Sequence, residues 1–153
     1  MPIETPTHER GCPFCGAMEG RSQNPAAWAL NTPEVCAFLN PRQFGRGHLL
    51  VIPRRHAPTL LDLLPDEAQA IMRQVHRLAA AISKAFDPSG LNIFQNNGLT
   101  AGQMVAHYHV HIVPSYPGDP PGGRIFRSDD FDRTSYEERM ELAQQIIACL
   151  PEE

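Results

Sequence analysis

Three histidines, His107, His109 and His111, alternate with Tyr108, Val110 and Ile112 in the segment AHYHVHIVP. On a β-strand successive side chains face opposite ways, so the three imidazoles share one face and the apolar residues take the other. Steps of two residues cover roughly 6.5–7 Å, which sets the outer rings about 13 Å apart. Neighbouring imidazoles can converge on one small ion or one phosphate, but three in a straight row cannot easily chelate a single metal. A division of labour follows. Each neutral ring carries one donor and one acceptor that need partners, so ligand binding or catalysis explains the row better than packing does. Just upstream, NNGLTAGQ supplies Asn96, Asn97, Gly98, Gly102 and Gln103. Glycines let backbone amides approach an anion closely, and side-chain amides can donate to phosphate oxygens.

A second group of reactive side chains lies near the N-terminus. Cys12 and Cys15 form a C-x-x-C pair, a spacing that points two thiolates at one ion. A redox pair is the competing reading, but no thioredoxin-like βαβ pattern surrounds it. A closed metal site needs two further ligands from elsewhere. Cys36 and Cys149 read as packing residues, His76 as a surface residue, and His8 carries no signal.

The elements that must position these groups are readable along the chain. GAMEGRSQNP reads as loop, and AAWAL and VCAFLN flank the turn NTPE as a hairpin. GHLLVIP reads as a buried strand stopped by Pro53. A helix is predicted from about Pro65 to Phe86, with proline tolerated in its first turn. Ala68, Ile71, Met72, Val75, Leu78, Ala79 and Ile82 form its apolar stripe. GLNIF and AHYHVHIVPSY read as strands, the second stopped at Pro114, and PGDPPGG as loop. A last helix begins at Ser135, where Glu138 completes a capping box, and runs to about Cys149.

Composition narrows the function classes. With 153 residues, 42% of them hydrophobic and 20% charged, the chain can bury a core without disulfides, and no repeat or second domain is visible. A net charge of -4 argues against a long nucleic acid as partner while leaving room for one nucleotide. The polar N-terminus shows no secretion signal, and no apolar run reaches the roughly 18–20 residues of a membrane span. The expected setting is cytoplasmic, with reduced thiols.

GQMVAHYHVHIVP, GHLLVIPRRH and the NNG turn together resemble the histidine-triad (HIT) superfamily, in particular its zinc-containing bacterial branch. The resemblance runs from about Cys12 to Pro114, with a weaker helical tail over about 134–150. It implies one HIT domain over 1–153, of α+β class: an antiparallel sheet of about five strands, one long helix and a C-terminal helix. It also implies a homodimer with joined sheets, acting on a small nucleotide substrate. His109 would attack the α-phosphorus to give a nucleotidyl-histidine that water resolves, and His111 would contact the phosphate or leaving group. A backbone carbonyl would hold the other ring nitrogen of His109. Asn96, Gly102 and Gln103 would meet the phosphate and leaving group, and Asn40 the ribose. Phe14, Phe38, Leu39 and Pro41 would wall the base, and a core role suits Phe14 and Phe38 equally well. Relatives of this kind bind structural zinc through two cysteines and two histidines, here Cys12, Cys15, His56 and His107. His48 would hydrogen-bond near the strand.

One residue departs from the pattern: Met104 stands where many members carry Ser or Thr, and a thioether cannot donate to a leaving group. Substrates of the expected kind are dinucleoside polyphosphates, adenylylated small molecules and nucleoside phosphoramidates, cleaved by water or by phosphate. Two alternatives stand beside this reading. One is a metal-dependent hydrolase with catalytic zinc on the histidines, although AHYHVHIV offers no carboxylate base. The other is a nucleotide-binding protein without turnover.

Overall fold

The computed structural model describes residues 1–127 and 129–153. Five antiparallel strands form the sheet: β1 (Trp28–Asn31), β2 (Val35–Leu39), β4 (Leu49–Pro53), β5 (Gly90–Phe94) and β6 (Val110–Ser115), in the order β1-β2-β4-β6-β5. Two further pieces, β3 (Arg42–Gln43) and β7 (Asp132–Arg133), make a small separate ladder. The helices are α1 (Pro13–Met18), α2 (Pro65–Phe86) and α3 (Tyr136–Cys149). The expected α+β architecture is the observed one.

Strand alternation sorts the sheet into two unlike faces. Val35, Ala37, Leu39, Leu49, Val51, Val110 and Ile112 point into the main core, against Ile71, Val75, Leu78 and Ile82 of α2 and Leu142 and Ile146 of α3. Cys36, Phe38, Leu50 and Ile52 point the other way, into a smaller cluster covered by Phe14, Met18 and Trp28. The histidines stand beside this second cluster, because His111 pairs with Leu50 in the β4–β6 ladder. Both helices match their sequence expectations, α2 to the residue and α3 with Ser135 capped reciprocally by Glu138. No helix among the described residues is long and apolar enough to cross a membrane.

Four details differ from the sequence reading. β6 begins at Val110, so His107 and His109 lie in an extended, bent lead-in rather than in the strand. Pro114 sits inside β6 instead of ending it. β4 pairs with β6 only as far as Ile112, and Gly45 lies beside the Pro114 carbonyl, so no ladder amide is required there. A Cβ at Gly45 would come within 1.8 Å of that carbonyl oxygen. Gly16 to Met18 are helical because Cys12 caps α1 and Pro13 starts it. Met72 is 56% exposed, while Gln74, Ala81 and Phe86 join the buried face of α2.

Candidate functional site

The cysteine pair is arranged by a helix cap. Cys12 is the N-cap of α1 and its Sγ accepts from the Cys15 amide at 3.4 Å, which brings the two thiols to one end of the helix. His56 reaches the same point from the segment after β4, and His107 from the lead-in to β6. Cys12 Sγ and Cys15 Sγ lie 3.4 and 3.6 Å from His107 Nδ1. Cys15 Sγ is 3.5 Å from His56 Nδ1, and the two histidine Nδ1 atoms are 3.3 Å apart. A tetrahedral zinc bonded at about 2.3 Å to sulfur and about 2.0–2.1 Å to nitrogen spaces its ligands about 3.3–3.8 Å apart. The donor set fits such an ion, and these four residues could hold a metal. The protein supplies the outer support as well. His107 Nε2–H donates to the Pro53 carbonyl at 2.8 Å, which leaves Nδ1 as the lone-pair nitrogen facing the thiols. Burial and the adjacent Cys12 push the Cys15 thiol up to about 11, an arrangement that a bound cation would reverse.

His109 is held differently. Its Nδ1 lies 2.7 Å from the His107 carbonyl, and a carbonyl can only accept, so Nδ1 carries the proton and Nε2 the lone pair. Burial lowers its pKa, which favours the neutral ring. Phe14 sets its edge against the ring, with centroids 5.3 Å apart at 88°. The neighbouring backbone is anchored by Tyr108 N–H donating to the Ala57 carbonyl at 2.7 Å.

His111 is held by a neighbouring ring. The Phe44 amide donates to His48 Nδ1 at 3.4 Å, and Asn40 Nδ2 lies 3.4 Å from His48 Nε2. His48 Nε2 lies 2.9 Å from His111 Nδ1, a hydrogen bond that ties the two rings together. Burial pushes both rings well below the usual histidine range, so both stay neutral. Phe94 stacks on His111 with centroids 4.4 Å apart and planes 5° from parallel. The His109 and His111 rings are 5.0 Å apart.

Two buried glutamines brace the loops on either side. Gln103 is 1% exposed: its Oε1 accepts from the Gly98 amide at 2.7 Å, and its Nε2 donates to the Pro58 and Val105 carbonyls at 2.6 and 2.9 Å. With every side-chain donor taken, Gln103 shapes the loop and has none left for a phosphate. Asn96 donates to the Gly102 carbonyl at 3.4 Å and keeps a second proton free. Gly102, at φ +83, adopts a left-handed conformation that a side chain would strain. Gln43 mirrors Gln103 in the other loop. It donates to the Asn40 and His48 carbonyls at 2.6 and 2.9 Å and accepts from the Gly47 and His48 amides. Asn40 Oδ1 accepts from the Arg42 amide at 3.2 Å, which turns its Nδ2 toward His48 at 3.4 Å.

Other sequence-stated residues divide. Phe14 and Phe38 meet edge to face at 5.3 Å beside the histidines. Leu39 is fully buried in the main core, on the far face of the sheet, so it cannot wall a base there. Pro41 is half-buried, and its carbonyl accepts from Thr134. Met104 is 71% exposed. Cys36 is buried as expected, whereas Cys149 is only half-buried against the core. His8, without signal in the sequence, accepts from the Ala106 amide at 3.1 Å and ties the N-terminal arm to the histidine lead-in. Gln43, Phe44 and Phe94 also escape a sequence reading, because their roles come from contacts distant in sequence and follow no periodicity.

Comparison with known proteins agrees with this geometry. The HIT domain family model matches residues 21–118. The chain is 37% identical over 122 residues to "Protein hit" of Bacillus subtilis, covering 78% of this chain and 83% of that protein. It is 31% identical over 149 residues to Adenylylsulfatase HINT3 of Arabidopsis thaliana, covering 97% of this chain and 72% of that protein. A zinc-bound histidine triad family protein from Mycobacterium smegmatis superposes with a TM-score of 0.74 at 29% identity, covering 93% of this chain and 94% of that one. Members of this family include nucleotide hydrolases. A match over well more than half of the sequence, with the cysteine–histidine cluster and the aligned imidazoles in place, leads to one conclusion: the chain belongs to the HIT domain family.

Proposed function

We propose that the protein is a histidine-triad nucleotide hydrolase or nucleotidyl transferase that cleaves at the α-phosphate through a nucleotidyl-His109 intermediate. The observation that carries this is the 2.7 Å bond from His109 Nδ1–H to the His107 carbonyl, which leaves Nε2 unprotonated. In the first step the Nε2 lone pair forms an N–P bond, and the P–O bond to the leaving group breaks with its electron pair departing on oxygen. Positive charge then develops on the ring, and the His107 carbonyl offsets it at Nδ1–H. His111 Nε2–H donates to a phosphoryl oxygen, and Asn96 and the Gly102 loop bind alongside it. In the second step water forms the new P–O bond, the P–N pair returns to Nε2, and the water proton passes to solvent. Phosphate in place of water would give phosphorolysis by the same path.

Asn40 is assigned to the ribose, and Phe14 and Phe38 to the base. Gln103 supports the phosphate loop without touching phosphate. Zinc is proposed at Cys12, Cys15, His56 and His107, where it would fix the thiol-bearing arm against His107. Four protein donors would close that ion off, whereas a catalytic zinc needs an open position. The homodimer belongs to the same reading, since β1 and β5 are open sheet edges and Ile93 on β5 is 45% exposed.

Met104 bears on the leaving group. A sulfate or polyphosphate departs as a stable anion, whereas an amine must be protonated, and a thioether donates nothing. The relative named as an adenylylsulfatase points the same way. The test compares kcat/KM for adenosine 5′-phosphosulfate, diadenosine tetraphosphate and adenosine 5′-phosphoramidate. The expected order places the phosphoramidate last. His109→Ala should lose about 1000-fold or more on every substrate while keeping its fold and metal content. A folded His109→Ala variant with native turnover overturns the mechanism.

A further inference from the structure

The ladder between β3 and β7 sets Arg42 directly opposite Arg133. Like charges facing each other across a strand pair are destabilising unless something neutralises them. Among the described residues, neither arginine has a carboxylate partner. The nearby Asp130 and Asp132 are instead both engaged by Arg124 at 3.0 Å. Phe131 lies beside both cations, with its ring centre 5.6 Å from the Arg42 guanidinium and 5.5 Å from that of Arg133. The ring holds both forks in place and strips part of their water, which pre-organises them for an oxyanion.

This pair is joined to the nucleoside side of the candidate site. The Arg42 amide donates to Asn40 Oδ1, and Phe44 packs against both Phe131, at 5.5 Å, and His48, at 5.8 Å. Asn40 itself is an amide, so it puts no negative charge beside the ribose. In dinucleotide sites generally, a carboxylate reads a free ribose hydroxyl, while a nearby arginine accommodates a ribose phosphate. Resting on the proposed role of Asn40, we infer that Arg42 and Arg133 form a second anion subsite that takes a phosphate on the 2′- or 3′-hydroxyl of the nucleotide's ribose.

Calorimetric titration of the full-length protein with AMP, adenosine 2′,5′-bisphosphate and adenosine 3′,5′-bisphosphate tests this and identifies the hydroxyl. One bisphosphate should bind about tenfold tighter than AMP, the scale of one charge-assisted hydrogen-bond pair. The Arg42→Gln/Arg133→Gln double variant, altered only at exposed side chains, should erase that preference and leave AMP affinity within about twofold. Equal binding of all three ligands, or a preference that survives in the double variant, overturns the inference while the nucleotide reading stands. Failure of AMP and both bisphosphates to bind overturns the nucleotide reading and the subsite with it.

Discussion

The two ends of the histidine row are fixed by different chemistry. At one end His107 meets two thiols and a second imidazole, brought together from α1, the segment after β4 and the lead-in to β6. At the other end His111 is fixed by a chain of hydrogen bonds, from the Phe44 amide through His48 to its own Nδ1. The first arrangement suits an added ion, because burial and the neighbouring Cys12 raise the Cys15 thiol and a cation would reverse that. The second is complete with protein atoms alone. His109 stands between them, its tautomer set by the His107 carbonyl and its neighbour His111 held by His48. Support and chemistry are thus divided along one short segment.

Breaking the metal end should have the larger effect on stability. Cys12→Ser removes one proposed ligand while its hydroxyl can still cap α1, and zinc-site free energies are large enough that loss of the ion costs several kcal/mol. We expect a lower melting temperature and near-zero zinc by elemental analysis, with chelation of the native protein reproducing both. Unchanged stability after zinc removal would show that the knuckle does not support the fold.

Breaking the relay should act mainly on turnover. His48→Phe keeps the ring volume but leaves His111 Nδ1 without its hydrogen-bond partner, so neither the tautomer nor the position of His111 is held. A loss of roughly 10–100-fold in kcat, the scale of an outer positioning partner, is expected with zinc content unchanged. The same variant sharpens the comparison through pH. The folded pKa of His48 is depressed, so the unfolded chain binds its proton first, and the stability tied to a neutral His48 is lost as pH falls below about 6.5. The slope of stability against pH below that value should be shallower in His48→Phe than in the native protein. The smallest effect is expected at the N-terminal arm. His8→Ala leaves the Ala106 amide without its acceptor, at a cost of about 1 kcal/mol, seen as a change of several-fold in turnover.

Much of this was legible in the sequence, for reasons that are local. The 3.6-residue stripe and its flanking Pro65 mark α2 to the residue, and the Ser135–Glu138 spacing marks the start of α3. The C-x-x-C spacing coincides with N-cap and N3 of α1, so two thiols at one helix end follow from local geometry. What escaped is non-local. Alternation of His107, His109 and His111 reads as one uniform strand, yet only His111 lies in β6, because His107 turns to the thiols and to the Pro53 carbonyl. Leu39 reads as a neighbour of Asn40, but strand alternation sends it to the opposite face. Gln43 and Gln103 look like polar loop residues, and nothing in their spacing reveals that each braces a loop from within. The β3–β7 ladder is two residues long on each side and joins segments about ninety positions apart, too short and too distant to leave a pattern.

The proposed mechanism requires a neutral His109 whose free nitrogen bonds to phosphorus. Rapid acid-free quenching of a turnover mixture containing α-32P-labelled diadenosine tetraphosphate, followed by peptide mass spectrometry, tests this directly. The prediction is an adenylyl adduct confined to His109 in the native protein and absent from His109→Ala. Turnover with no adduct at any time point, or an adduct on a different residue, would contradict it.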